Sequence, residues 1–231
     1  MMRRETQHAV LFLLGGALVR IAADETFLRY VRPAQRWWLI GAGVVMIGLA
    51  VVATVRDVRG RTVPGADGHD HRTGPSPWLL VLPVLVVALV APPALGADAV
   101  ARQPTTAPAD LAAPALPPGP AELGIGEAVA RSIDGTLGDG RDLTVTGFLA
   151  HRDGDVVVAR LTISCCAADA RPHTVRLRGP GLQGAAALPV DTWVRVRGTV
   201  VAQAAKDNRW SPDLEVAELT VVAPPDDPYE L

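Results

Sequence analysis

The sequence predicts a chain in two parts: a helical membrane region with three spans, followed by a mainly β domain built as an OB-like, five-stranded, partly open barrel. Three observations predict it. Apolar residues make up 49% of the 231 positions, yet they crowd into the first hundred instead of spreading through one core. A stretch rich in Pro and Ala then interrupts the chain. Beyond it the hydrophobic period changes to two, in short runs separated by turn residues.

The first span is expected at 9–23, AVLFLLGGALVRIAA, which carries Arg20 where a long side chain can reach the headgroups. The run carries Arg20 near its end and is followed at once by Asp24 and Glu25 with no small-residue cleavage site, which disfavours a signal peptide. The second span, 37–55, is 19 residues without a charge, about 28 Å as a helix and close to one hydrocarbon core. It opens on Trp37 and Trp38 after Arg36 and closes at Arg56, an aromatic belt with flanking cations. The third span, 78–97, contains Pro83, which should kink it, and Pro92-Pro93, which should distort its last turns. Counting Arg in the short flanks gives six inside against four outside whether two or three segments span, so charge alone leaves the topology open.

Between the second and third spans, the loop 56–77 contains Gly68-His69-Asp70-His71. Imidazole and carboxylate groups this close are weak candidates for a Zn²⁺-like cation, with a solvated polar loop as the plain alternative. Residues 98–121 read as a Pro/Ala-rich linker, extended and stiff.

The remaining segment, 122–231, is acidic. Before Pro120 there are 11 basic and 8 acidic residues, after it 11 and 16, which argues against a nucleic-acid partner for the second half. A short helix is expected over 122–134, stopped by Gly135. Strands are expected at Leu143–Leu149, Val156–Ile163, His173–Leu177, Trp193–Val201 and Leu214–Val222. Asp153-Gly154 is a hairpin-turn signal, and Gly147 and Gly198 mark places where a coiled sheet bends. Arg160, Arg176, Arg178, Arg195 and Arg197 alternate with apolar residues as a solvent face would; they are either an anion-binding stripe or partners of the many acids. Trp193 and Trp210 are read as packing residues before binding ones. No nucleophile elbow, P-loop or dinucleotide fingerprint occurs, so no enzymatic activity is expected.

The only two cysteines, Cys165 and Cys166, are adjacent in LTISCCAAD, residues 161–169. A bridge between neighbours closes almost no loop, so a structural staple is a poor explanation. Cys165, Cys166, Asp169 and His173 are the candidate ligands of a transition-metal ion such as zinc. The alternative is that Cys166 is a small buried hydrophobe and Asp169 a turn former.

The Cys-Cys-Ala-Ala-Asp segment, then Trp193 to Val200 (WVRVRGTV), then Pro224 to Tyr229 (PPDDPY), resemble the YcgQ-type permease-subunit family. The resemblance extends over nearly the whole chain. It implies three spans, a cytoplasmic 56–77 loop and an extracytoplasmic C-terminal domain on a multi-pass cell-membrane protein. It also implies a separate multi-spanning permease as partner, which makes this chain an accessory subunit. The family's cysteine–aspartate motif maps to Cys166 and Asp169, with Cys165 where some relatives have His. Exchange of His for Cys fits metal ligation, since little else links their chemistry. Two other functions compete with this one: a membrane-anchored thiol redox protein using both cysteines, and a surface module binding peptides or adhesion partners.

Overall fold

The computed structural model describes residues 2–60, 93–103, 114–201 and 211–230. The chain divides into two compact units: Met1–Phe27 with Arg32–Pro93, and Leu28–Val31 with Ala94–Leu231.

In the first unit, α1 (Met2–Ala23) and α2 (Arg36–Val58) pack as a hairpin. Their approach depends on two glycines. A Cβ on Gly15 would lie 2.7 Å from the Gly43 carbonyl oxygen, and one on Gly43 the same distance from the Gly15 oxygen, the small-residue contact by which apolar helices approach closely. The helical stretch Pro33–Val58 is 26 residues, its most apolar 18-residue window has a mean hydropathy of 2.3, and it is long and apolar enough to cross a membrane; Gln7–Ala23 is apolar but shorter. The third expected span lies outside the described residues as far as 92, as do His69, Asp70 and His71.

The second unit is mainly β. Its sheet comprises β1 (Ala121–Glu122), β2 (Asp142–Arg152), β3 (Asp155–Thr162), β4 (Arg171–Arg178), β5 (Trp193–Val201), β6 (Asp213–Val221) and β7 (Tyr229–Glu230). The five long strands coincide with the five periodic runs. They pair in a ring: β2 with β3, β3 with β4, β4 with β6 in parallel, β6 with β5, and β5 back to β2. The expected turn joins β2 to β3, with Asp153 and Gly154 at φ +51° and +84°, the paired positive angles of a tight hairpin. The register slips between Arg197 and Gly198. There a Cβ would strike the Glu215 backbone oxygen, so glycine permits the bulge.

One end of the core is closed by α4 (Ile125–Ile133), whose Ile125, Ala128 and Val129 are buried with Leu143, Val145, Val158, Val175 and Leu214. A second cluster lies on the other face of β3, where Val157, Ala159 and Leu161 pack with Phe148, Val100 and Tyr229. Strand β3 is thus buried on both sides, which accounts for its apolar run Val156–Ala159. Its outer cover comes from the chain just before residue 103. Residues assigned to the end of a span and the start of a linker form α3 (Ala97–Arg102), and its Val100 is fully buried, worth about 1.5 kcal/mol or more. At these six residues apolar burial overrides the local Pro/Ala composition; 104–113 of the expected linker lie outside the described residues.

The alternating arginines do not form a free cationic stripe. Arg176 Nε lies 2.7 Å from Asp213, Arg178 2.9 Å from Asp155, Arg195 2.7 Å from Glu122, Arg197 3.6 Å from Glu218, and Arg160 4.0 Å from Glu230. Arg160 also sits over Trp193, 4.9 Å from the ring centroid, and Trp193 meets Phe148 edge-on at 5.7 Å, a packing role. Trp210 lies outside the described residues.

The C-terminal segment is a structural clasp. Strand β7 pairs in parallel with Leu161 and Thr162, and Arg160 donates to the carbonyls of Asp227 and Tyr229. The N-cap of α4 is Gly124, which has no side chain to offer. Glu230 replaces it, accepting from the Ile125 and Gly126 amides at 2.8 and 2.7 Å, a carboxylate at the positive end of a helix. Glu230→Ala should therefore cost about 1–2 kcal/mol. Chemical denaturation of the purified variant checks this, and an unchanged midpoint would show the cap to be energetically empty.

Candidate metal centre

The candidate centre occupies the turn between β3 and β4. Strand β3 ends at Thr162, and buried Ile163 anchors the chain just before Ser164, Cys165 and Cys166 leave the sheet. A 3-10 turn over Ala167–Asp169 returns it to β4 at Arg171. Asp169 closes this loop on itself: Oδ1 accepts from the Ser164 amide and Oδ2 from the Cys165 amide, both at 2.8 Å. A carboxylate receiving two backbone amides is fixed in orientation, and it fixes the cysteine backbone in return.

The sulfurs of Cys165 and Cys166 lie 3.6 Å apart, as free thiols. One donor atom from each of Cys165, Cys166 and Asp169 falls within 4.8 Å of the others. Cys165 is exposed and Cys166 partly buried. The Asp169 carboxyl is held below its ordinary value, first by the Cys165 thiol and then by the Ser164 and Cys165 amides. The same neighbour acts oppositely on the thiol. Cys165 is pushed up to about 11, chiefly because its protonated thiol hydrogen-bonds to Asp169 and then to Cys166, bonds that favour the neutral form.

His173 does not join the three. It lies on β4, 2% exposed, with Nε2 3.0 Å from Thr162 Oγ1 and with Nδ1 buried and lacking a hydrogen-bond partner among the described residues. The expected fourth ligand is a core histidine instead. It falls four residues beyond Asp169 on the strand, where the pleat carries it inward beside α4. Burial, and then Arg171, lower its pKa to about 4.

Residues that the motif did not point to hold the loop from outside. Ala167 donates to the Tyr30 carbonyl at 2.7 Å, and Val31 and Cys166 form an isolated antiparallel bridge. Tyr229 donates its hydroxyl proton to the Arg29 carbonyl at 2.9 Å and accepts from the Leu95 amide at 3.2 Å. The one available signal was the aromatic at the end of the PPDDPY run; nothing in residues 28–31 announces a partner.

Residues 137–230 match the family model described as the DUF1980 C-terminal domain, consistent with the YcgQ-type resemblance over those residues. No curated protein matches the chain. Two solved structures of asparaginyl-tRNA synthetase from Pyrococcus horikoshii, one complexed with asparaginyl-adenylate, are similar at 15% and 16% identity, with TM-scores of 0.24 and 0.25. Each covers 39% of this chain, and the chain spans 22% and 23% of theirs. Scores this low carry no argument about fold or ligand.

Proposed function

We propose that this protein is a non-enzymatic accessory subunit of a membrane permease complex, whose β domain binds or presents a metal ion of the zinc class. In this reading α1, α2 and the third apolar segment from residue 78, ending before Ala94, span the cell membrane, the β domain faces outward on an OB-like barrel, and a separate multi-spanning permease carries the solute. Support for the membrane part comes from the apolar length of Pro33–Val58. Support for the barrel comes from the ring of pairings and the parallel β4–β6 junction.

The observation that carries the metal reading is the cluster of Cys165, Cys166 and Asp169. Two sulfurs and a carboxylate oxygen suit a borderline ion, and three protein donors leave a position for water or a transferred ligand. Binding would displace the thiol protons, so affinity should rise with pH. The 3.6 Å separation also admits a dithiol redox role. A thiol held up to about 11 is a poor nucleophile at neutral pH, which counts against it.

The test is purification of the full-length protein from membranes in mild detergent, followed by metal analysis and calorimetry with Zn²⁺ under reducing conditions. The expected result is one bound Zn²⁺ per chain, lost in Cys166→Ser, with a multi-spanning protein in the eluate. Absence of Zn²⁺, Cu⁺ and Ni²⁺ binding removes the metal reading; absence of the membrane partner removes the subunit reading.

A further inference from the structure

The two cysteines are restrained by different parts of the chain. Cys165 is held from within its own loop, by Asp169. Cys166 is held from outside, by the bridge to Val31 and by the neighbouring Ala167 amide on Tyr30. The segment that does this is short. It leaves a 3-10 turn at Arg29 and starts another at Pro33, so it has little structure of its own to keep it in place.

Tyr229 supplies the missing restraint. Its ring is buried in the cluster with Leu161 and Val157, and its backbone is fixed by pairing with β3. From that position the hydroxyl donates to the Arg29 carbonyl and accepts from the Leu95 amide. Three consecutive residues are therefore engaged in turn: Arg29 by the core tyrosine, Tyr30 and Val31 by the thiol loop.

We infer that Tyr229 is a positioning residue for Cys166, acting through the strap Arg29–Val31, which belongs to the same compact unit. A displacement of the strap reaches Cys166 through backbone bonds while leaving Cys165 with Asp169. The inference rests on the geometry of the loop and not on what the loop binds.

Two substitutions separate the bonds. Tyr229→Phe removes the hydroxyl and keeps the ring in the core. Ala167→Pro removes the amide that reaches Tyr30 at a position that tolerates proline: Ala167 opens a 3-10 turn and Cys166 before it is extended, at φ −155°. Full-length reduced, metal-free protein in detergent is alkylated with iodoacetamide, and each cysteine is followed by peptide mass spectrometry. The expected result in both variants is a rise of about fivefold in alkylation of Cys166 relative to Cys165, the effect of one lost net hydrogen bond on a local opening. An unchanged ratio in either variant overturns the inference, as does equal acceleration of both thiols, which would mean general loosening. No metal enters the measurement, so its failure is distinct from failure of the metal reading.

Discussion

Asp169→Ala is expected to lower the affinity of the reduced protein for Zn²⁺ by about 10–100-fold, the range for loss of a group that orients metal ligands. Two effects act in the same direction. The variant loses a donor atom within 4.8 Å of both sulfurs. It also releases the Ser164 and Cys165 amides that the carboxylate holds at 2.8 Å, so the thiols lose their preset separation. Asp169→Asn should fall between the two proteins, because an amide has one acceptor oxygen for two donors and presents an N–H to the second. Competition against a chelator of known affinity reads the effect, with circular dichroism to confirm the fold. Wild-type affinity in Asp169→Ala would show that the carboxylate is a turn former and nothing more.

The second large effect is on stability. His173 has a folded pKa of about 4, below its ordinary 6.5, because burial disfavours the imidazolium. The unfolded chain therefore binds a proton that the folded chain refuses. Stability from this group is fully present above about pH 6.5 and declines as the pH falls through 6.5 toward 4. At about 1.4 kcal/mol per pH unit the loss approaches 3 kcal/mol. Below pH 4 both states are protonated and this contribution declines no further. The measurement is the urea midpoint of the β domain within the detergent-solubilised chain, followed by tryptophan fluorescence between pH 7.5 and 4. His173→Gln keeps a hydrogen-bonding group toward Thr162 and has no proton to gain, so its curve should be flatter in that window. Parallel curves for the two proteins would mean that His173 is already protonated, or hydrated, in the folded state.

Strand positions were legible because each carries its own evidence. Val194 and Val196 alternate with Arg195 and Arg197, and the structure buries the valines and exposes the arginines on the same period. Asp153-Gly154 and Gly198 were legible for the same reason: a positive φ pair and a close backbone approach restrict the residue type at one position. The metal candidates were legible as far as they were local. Cys165, Cys166 and Asp169 lie within five residues, and one turn brings them together. His173 is only four residues further but belongs to the next strand, and the pleat rather than proximity decides which way it points.

What the sequence determined by itself was everything set by short-range periodicity and composition: an apolar helix long enough for a bilayer, five β runs, their turn residues and the thiol–carboxylate loop. The tertiary structure decided what covers what. Nothing in Ala97–Arg102 announces that it shields the outer face of β3, nothing in Arg29–Val31 that it pairs with Cys166, and nothing in Glu230 that it caps a helix begun more than a hundred residues earlier. These contacts exist because a strand buried on both faces and a helix whose N-cap is glycine each leave a demand, for apolar cover or for a hydrogen-bond acceptor. Any segment within reach can satisfy such a demand, and which one does is a property of the ring of strands and not of the local sequence.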